Sequence, residues 1–246
     1  MVGLEIMDSR RTQMFGILSD AHGNIEAFRL AIRHLRNLGV RAFYFLGDAV
    51  GYIPSLEVVD ELQAMGGAMQ CILGNHELMV LNRSSKPNCE SVYQHRQVCD
   101  AISPKQTNFL KSWPTHRRAS ISGTEVLFVH ASPNDFSHEY VYPDSDLTQF
   151  QVNERFVFMG HSHYPFIRDT NGTTFVNVGS CGLPRDDGRF GAFVTFDPDK
   201  KKAHLYRYDI SKLAEGLRNL QPERLHPTVR QLFQRRSDSL SGTILI

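Results

Sequence analysis

Five strand-like runs in this chain each lead into a residue that can bind a metal ion. MFGILSD reaches Asp20, with His22 two residues on, RAFYFLGD reaches Asp48, and AMQCILGN reaches Asn75. EVLFVH ends at His130, and RFVFMGHSH delivers His161 and His163. Helix-length segments separate the first three runs, giving a βαβαβ opening with parallel strands and right-handed crossovers. Parallel strands bring their carboxyl ends to one edge, where open α/β sheets bind ligands. Seven side chains far apart in sequence are therefore expected to meet in one small volume.

The segments between the runs carry their own signals. Asn24 precedes IEAFRLAIRHLRNLG, in which Ile25, Phe28, Ala31, Ile32, Leu35 and Leu38 keep helical spacing before Gly39 stops it. Strands are expected at 41–46 and 68–73, with a helix near 55–65 between them. Residues 76–113 read as helical, with Ser103, Pro104 and Gln106 supplying an N-cap, a first-turn proline and a capping-box partner. From 117 onward the texture changes to short strands separated by Gly, Asn and Asp turns. This order implies an α/β fold: a four-layer α-β-β-α sandwich of two mixed sheets with flanking helices, and the metal site at strand carboxyl ends. Residues 1–13 read as a flexible leader, 14–209 as one domain, and 210–246 as a C-terminal helical extension packed on or near that domain. In the extension, ISKLAEGLRNL and HPTVRQLFQRR have helical spacing, and SDSLSGTILI reads as a loose end. It either lies on the outer face, joins copies of the chain, or forms a flap near the site.

Bulk composition narrows the partners. Hydrophobic residues make up 41% and charged residues 22% of the 246, enough for a substantial core. A net charge of +1 supplies no electrostatic pull toward nucleic acid or an anionic membrane. Apolar runs are strand-sized, and no signal peptide is evident. Cys71, Cys89, Cys99 and Cys181 lack paired CxxC spacing, so a reduced, cytoplasmic protein is expected.

The ligand types restrict the metal. Carboxylate, imidazole and amide oxygen together suit Mn, Fe, Co, Ni or Zn better than Ca or Mg, which prefer oxygen shells. Asp48 is the natural bridge between two ions roughly 3.5–4 Å apart. Such a pair lowers the pKa of a coordinated water toward roughly 7, so a metal-bound hydroxide becomes available to attack phosphorus in line.

The order D-x-H, GD, GNHE, H and GHSH resembles the calcineurin-like metallophosphoesterase superfamily, over residues 14 to about 209. GDAVGYIP, VHASP, SPKQTNFLKSWP and NVGSCGLPRDDGRFG resemble a prokaryotic branch of predicted phosphoesterases and phosphodiesterases. The resemblance implies Asp20, His22 and His163 on one metal, and Asn75, His130 and His161 on the other, with Asp48 between them. It gives His76 the role of protonating the leaving-group oxygen or stabilising charge on the phosphoryl group, a task suited to histidine.

Departures from the wider family bear on the substrate. Its protein serine/threonine phosphatases carry GDxVDRG, whose Asp supports the catalytic His and whose Arg grips phosphate. Here Gly51 stands at the Asp position and Tyr52 at the Arg position, which disfavours a dedicated phosphoprotein phosphatase. Arg185 is a candidate replacement for that phosphate contact, or else an ion-pair partner of Asp186 or Asp187. Asn24 either offers its amide to phosphate or caps the first helix, the commoner use. Tyr52, Pro54, Tyr140 and Tyr142 are placed to shape the pocket rim. Glu77 receives no role, and the remaining histidines, such as His34 and His226, read as surface or core residues.

The expected function is dinuclear, metal-dependent hydrolysis of a small phosphodiester or phosphomonoester, with Mn the first metal expected and Fe, Zn, Co or Ni as others. A dinucleoside polyphosphate or nucleotide hydrolase would use the same centre. A non-catalytic scaffold of the same fold is the alternative from another class, and a complete ligand set with His76 argues against it. No membrane or nucleic-acid partner is indicated, and the oligomeric state stays open.

Overall fold

The computed structural model describes residues 13–84, 87–218 and 225–245, so the expected leader at 1–13 lies outside them except for Gln13. The opening unit is the βαβαβ arrangement expected. Strands β1 (Phe15–Leu18), β2 (Ala42–Phe45) and β3 (Met69–Cys71) alternate with helices α1 (Ile25–Asn37) and α2 (Glu57–Ala64), and the three strands pair in parallel. Helix α1 forms because Ile25, Phe28, Ala31, Ile32 and Leu35 share one face, which is buried against the sheet. Asn24 Oδ1 accepts from Ala27 N at its start, the cap expected from sequence.

The stretch 76–113 is less continuous than its composition suggests. It divides into α3 (Asn75–Leu81), α4 (Glu90–Tyr93), α5 (His95–Ala101) and α6 (Pro104–Lys111). Pro87 and Pro104 fit only a first helical turn, so each stops a preceding helix from running on, and Gln94 adopts a left-handed backbone (φ 55°) that separates α4 from α5. The capping box of Ser103 and Gln106 is present at the start of α6.

The later strands are β4 (His116–Ile121), β5 (Thr124–Val129), β6 (Phe156–Met159), β7 (Phe166–Thr170), β8 (Thr173–Asn177), β9 (Phe190–Asp197) and β10 (Lys202–Asp209). After them come α7 (Ser211–Arg218), α8 (Pro227–Leu232) and β11 (Thr243–Leu245). One sheet has the order β11-β10-β9-β1-β2-β3 and the other β4-β5-β6-β8-β7. Both are mixed, and β5, β6 and β8 are parallel neighbours.

The two sheets pack through Ile17, Leu46, Phe128, Phe156, Phe158, Val194 and Phe196. Strand β5 shows how: Val126 and Phe128 point between the sheets, while Leu127 and Val129 point outward. Helices α1 and α2 cover the outer face of the first sheet. The outer face of the second is covered by the 131–155 connection, whose Val141, Leu147 and Phe150 pack on Val157 and Phe175. No helix joins that layer among the described residues.

Beyond β10, Leu225, Val229, Leu232 and Phe233 enter the same core as α1. The apolar end read as loose is the edge strand β11, parallel to β10. No helix among the described residues is long and apolar enough to cross a membrane.

Candidate metal centre

All seven candidate ligands converge at the carboxyl ends of the parallel strands, and they come from both sheets. Asp20, Asp48 and Asn75 follow β1, β2 and β3, while His130, His161 and His163 follow β5 and β6. The single sheet edge implied by the first three runs is therefore a seam between two sheets. Backbone bonds extend the strand pairing into the loops, from Asp20 N to Gly47 O (3.0 Å) and from Gly160 N to His130 O (2.8 Å).

Five of the seven have left-handed backbones: Asp20 (φ 58°), His22 (49°), Asp48 (59°), His161 (62°) and His163 (63°). Such a residue costs about 1–2 kcal/mol, and Asp and His are among the side chains that tolerate it best. Each sharp turn aims a side chain back over the strand end. The strain is local and is held by the surrounding fold.

Two groups result. His163 Nε2 lies 3.2 Å from Asp20 Oδ1 and 3.1 Å from His22 Nε2, and His22 Nε2 is 3.7 Å from both Asp20 Oδ1 and Asp48 Oδ2. In the second group, His130 Nε2 lies 3.3 Å from Asp48 Oδ2, 3.1 Å from Asn75 Oδ1 and 3.1 Å from His161 Nδ1. Asp48 thus touches both groups, which is the position a bridge requires.

The far side of every histidine is anchored to a backbone carbonyl. His22 Nδ1 meets Val50 O (3.1 Å), His130 Nδ1 meets Leu46 O (2.7 Å), and His163 Nδ1 meets Leu183 O (2.5 Å). His161 is reversed, with Nε2 on His138 O (3.1 Å) and Nδ1 turned inward. A carbonyl can only accept, so each ring places its N–H outward and its lone pair toward the cluster. Four inward lone pairs, with the buried Asp20 Oδ1 left without a hydrogen-bond partner, form an acceptor-only cavity. Facing nitrogens of neutral rings have no proton to share at 3.1 Å. Divalent cations fit this donor set.

The protonation preferences agree. Burial would raise the carboxyls of Asp20 and Asp48, but the adjoining imidazoles outweigh it and hold both well below the usual carboxylate range. Burial lowers His163 to about 4, with the Arg185 charge adding to it, and lowers His161 to about 3. His130 goes the other way: burial opposes its charge, yet the Asp48 carboxylate takes it up to about 9. In the absence of cations a proton on His130 Nε2 thus supplies the positive charge that the carboxylates demand; with a cation in its place all four lone pairs face inward.

Glu77, unassigned from sequence, organises the loops. Its carboxyl accepts from Asp48 N (2.7 Å), Ala49 N (2.8 Å), Val50 N (3.2 Å) and Gly74 N (2.9 Å). It thereby ties the β2 and β3 ends together and sets where Asp48 and Asn75 stand.

A model of the calcineurin-like phosphoesterase superfamily domain matches residues 14–201. The chain belongs to that superfamily. It is 29% identical over 238 residues to an uncharacterized protein of Methanocaldococcus jannaschii, covering 85% of this chain and 94% of the other. In fold it is similar to a hypothetical protein of Pyrococcus horikoshii, with a TM-score of 0.73 at 17% identity, covering 89% and 97% of the two chains. It is also similar in fold to a metallophosphoesterase from Sphaerobacter thermophilus, with a TM-score of 0.69 at 23% identity, covering 91% and 98%.

Within this superfamily frame, the two departures noted in sequence acquire structural substitutes. Gly51, at the Asp position of the phosphoprotein phosphatases, has φ 90°, and a Cβ there would lie 2.1 Å from His76 Nδ1. The His76 ring occupies that space, and its Nδ1 contacts His95 Nε2 at 2.8 Å instead. His76 also donates its backbone N–H to Asp48 Oδ1 (3.0 Å), and its Nε2 lies 4.0 Å from Asp48 Oδ2. Burial lowers the His76 imidazole well below its ordinary value.

At the second position, Tyr52 receives a hydrogen bond from Arg185 Nη2 at 2.9 Å. The ion pair considered for Arg185 is not formed: Asp186 is held by Arg207 and Asp187 by Arg189. Asn24 is committed to the fold at both ends, since its Nδ2 donates to Gly182 O (2.8 Å) while its Oδ1 caps α1. Tyr140 stacks on His161 with ring centroids 4.0 Å apart, as expected for a rim residue. His95 is the residue that sequence reasoning missed. It lies in no motif, and the one hint was that Gly51 leaves His76 without an acidic partner.

Proposed function

We propose that the chain is a dinuclear metal-dependent phosphoesterase that hydrolyses phosphodiester or phosphomonoester bonds. The observation that carries this reading is the acceptor-only cavity, in which four imidazoles, two carboxylates and an amide aim lone pairs at two adjoining positions. Asp20, His22 and His163 would hold one divalent ion and Asn75, His130 and His161 the other, with Asp48 shared. Manganese is the first metal proposed, with Fe, Zn, Co or Ni as others. Bound there, the ions would polarise phosphoryl oxygens and acidify a water.

The protein groups then perform the rest. Arg185, whose Nη2 donates to Tyr52 beside His22, would meet the phosphoryl oxygens as a bidentate donor. As the water oxygen bonds to phosphorus, the ester P–O bond breaks and its electron pair stays on the departing oxygen. His76 Nε2–H donates a hydrogen bond to that oxygen as charge builds on it, and the proton released by the attacking water ends there, so the products are an alcohol and a phosphate or phosphomonoester. Four unpaired cysteines support the proposed reducing, cytoplasmic setting.

A second reading, a nucleotide or dinucleoside polyphosphate hydrolase, is favoured by a cleft beside Arg185. It measures about 370 Å³, and its lining includes Tyr52, Tyr93, Tyr142, Tyr164, Arg185 and Arg235. Flat aromatic walls with guanidinium groups suit a base and its phosphates. Metal analysis, with a panel of aryl monoester, aryl diester, cyclic nucleotide and dinucleotide substrates, separates the readings. His76→Ala is expected to keep both metals and lose about 10²–10⁴-fold in kcat. Two metals per chain without hydrolysis of any phosphoester would point to a scaffold.

A further inference from the structure

His95 stands behind His76, on the side of that ring away from Asp48 Oδ2. The two rings meet at 2.8 Å between His95 Nε2 and His76 Nδ1, with centroids 4.8 Å apart and planes at 65°. The left-handed Gln94 sets this direction at the start of α5, and its side-chain Nε2 is tied to Tyr52 O at 3.1 Å. Tyr93 closes the cage, with its ring centroid 4.9 Å from His76 and 5.4 Å from His95. His95 is 1% exposed, and its Nδ1 is buried with no hydrogen-bond partner among the described residues.

That unmet nitrogen bears on where the shared proton sits. If His76 donated from Nδ1, neutral His95 would carry its own proton on Nδ1, a buried N–H with no hydrogen-bond partner among the described residues. Unmet buried N–H donors are rare and cost about 1–3 kcal/mol. The opposite placement puts the proton on His95 Nε2, donates it to His76 Nδ1, and leaves only a lone pair unmet. His76 then carries its own proton on Nε2, which faces the Asp48 carboxylate oxygen at 4.0 Å. Both ends of the pair favour the same tautomer.

We infer that His95 is a positioning residue for His76, fixing its Nε2–H tautomer and its orientation toward the departing oxygen. It does the orienting task that an acid at position 51 would do elsewhere in the superfamily, but as a donor of a neutral hydrogen bond. The tautomer assignment stands on the metal-free protein; its catalytic use rests on the phosphoesterase reading.

Long-range ¹H–¹⁵N NMR of the metal-free protein reads the tautomer of His76 directly. The expected result is Nε2–H in the wild type and in His95→Gln, whose amide can still donate, and Nδ1–H or a mixture in His95→Phe. Steady-state kinetics with metal give the second readout. His95→Phe is expected to lose on the order of 10²-fold in kcat on alkyl esters and under about threefold on 4-nitrophenyl esters, whose leaving group needs no proton. KM and metal content stay unchanged, and His95→Gln stays within about threefold of wild type on both. An Nδ1–H tautomer in the wild type overturns the inference, as does an equal loss on both ester classes or a His95→Gln as impaired as His95→Phe. A wild type with the Nε2–H tautomer but no phosphoester hydrolysis sinks the catalytic reading while leaving the positioning intact. If His95→Phe does not fold, the wild-type and His95→Gln spectra still decide.

Discussion

The strands that carry the candidate ligands have two very different ends. Between the sheets, Ile17, Phe128, Phe158, Val194 and Phe196 are fully buried and apolar, and Phe158 and Phe196 touch with centroids 5.1 Å apart. A few residues further along, Asp20, His22, His130 and His163 are just as buried, yet polar and crowded together. The interlayer gains stability from every contact it makes, since burying apolar surface is favourable. The rim holds left-handed backbones and like-facing lone pairs that the fold must restrain. Equal burial therefore has opposite energetic sign in the two places. Cations are what would bring the rim into balance.

The comparison can be broken in four ways. Asp48→Asn removes the carboxylate shared by both groups while keeping an oxygen for His76 N–H. It is expected to lower kcat by on the order of 10³-fold, since metal charge supplies several kcal/mol of the barrier reduction. Its melting temperature without metal should fall modestly, because the attraction between Asp48 and His130 is lost, and a collapse of the metal-free fold would show that the rim is structural after all. Phe196→Ala, at the other end, is expected to cost about 3–5 kcal/mol in denaturant melts while the folded fraction keeps its kcat. A fall in turnover per folded molecule would mean that core and rim are not separable.

Metal itself tests the balance. Adding manganese at a hundredfold excess over its dissociation constant is expected to stabilise the wild type by about 2.7 kcal/mol, an effect absent in Asp48→Asn. Chelation should reverse it. The smallest effect lies outside both regions, at Asp187. Its carboxyl is held at about 2, because Arg189 and the N–H groups of Arg189 and Ser237 outweigh the raising effect of burial. A carboxyl depressed in the folded state contributes stability above its ordinary value of 3.8. That contribution is lost as pH falls through about 2. Asp187→Asn should lose about 2 kcal/mol at neutral pH and flatten the melting profile between pH 4 and 2.

The ligand residues were legible because each sits at the junction of a local strand signal and a local turn, a few residues long. Helix α1 was legible for the same reason, since its cap and its apolar face are neighbours in sequence. The outer layer over the second sheet was harder to read, because the 131–155 connection has apolar residues without helical spacing. Strand β11 was missed because an edge strand of three residues is specified mostly by the partner it joins.

Sequence alone determined the parallel opening, the chemistry of the seven side chains and their placement at strand ends, all consequences of short-range periodicity and residue type. Tertiary structure decided that two sheets rather than one supply them, that Asn24 is spent on capping, and that Arg185 reaches Tyr52 across 133 residues. It also decided that His95 rather than an acid stands behind His76. These are contacts between segments with no shared local pattern, and only the packing of the layers brings them within hydrogen-bond distance.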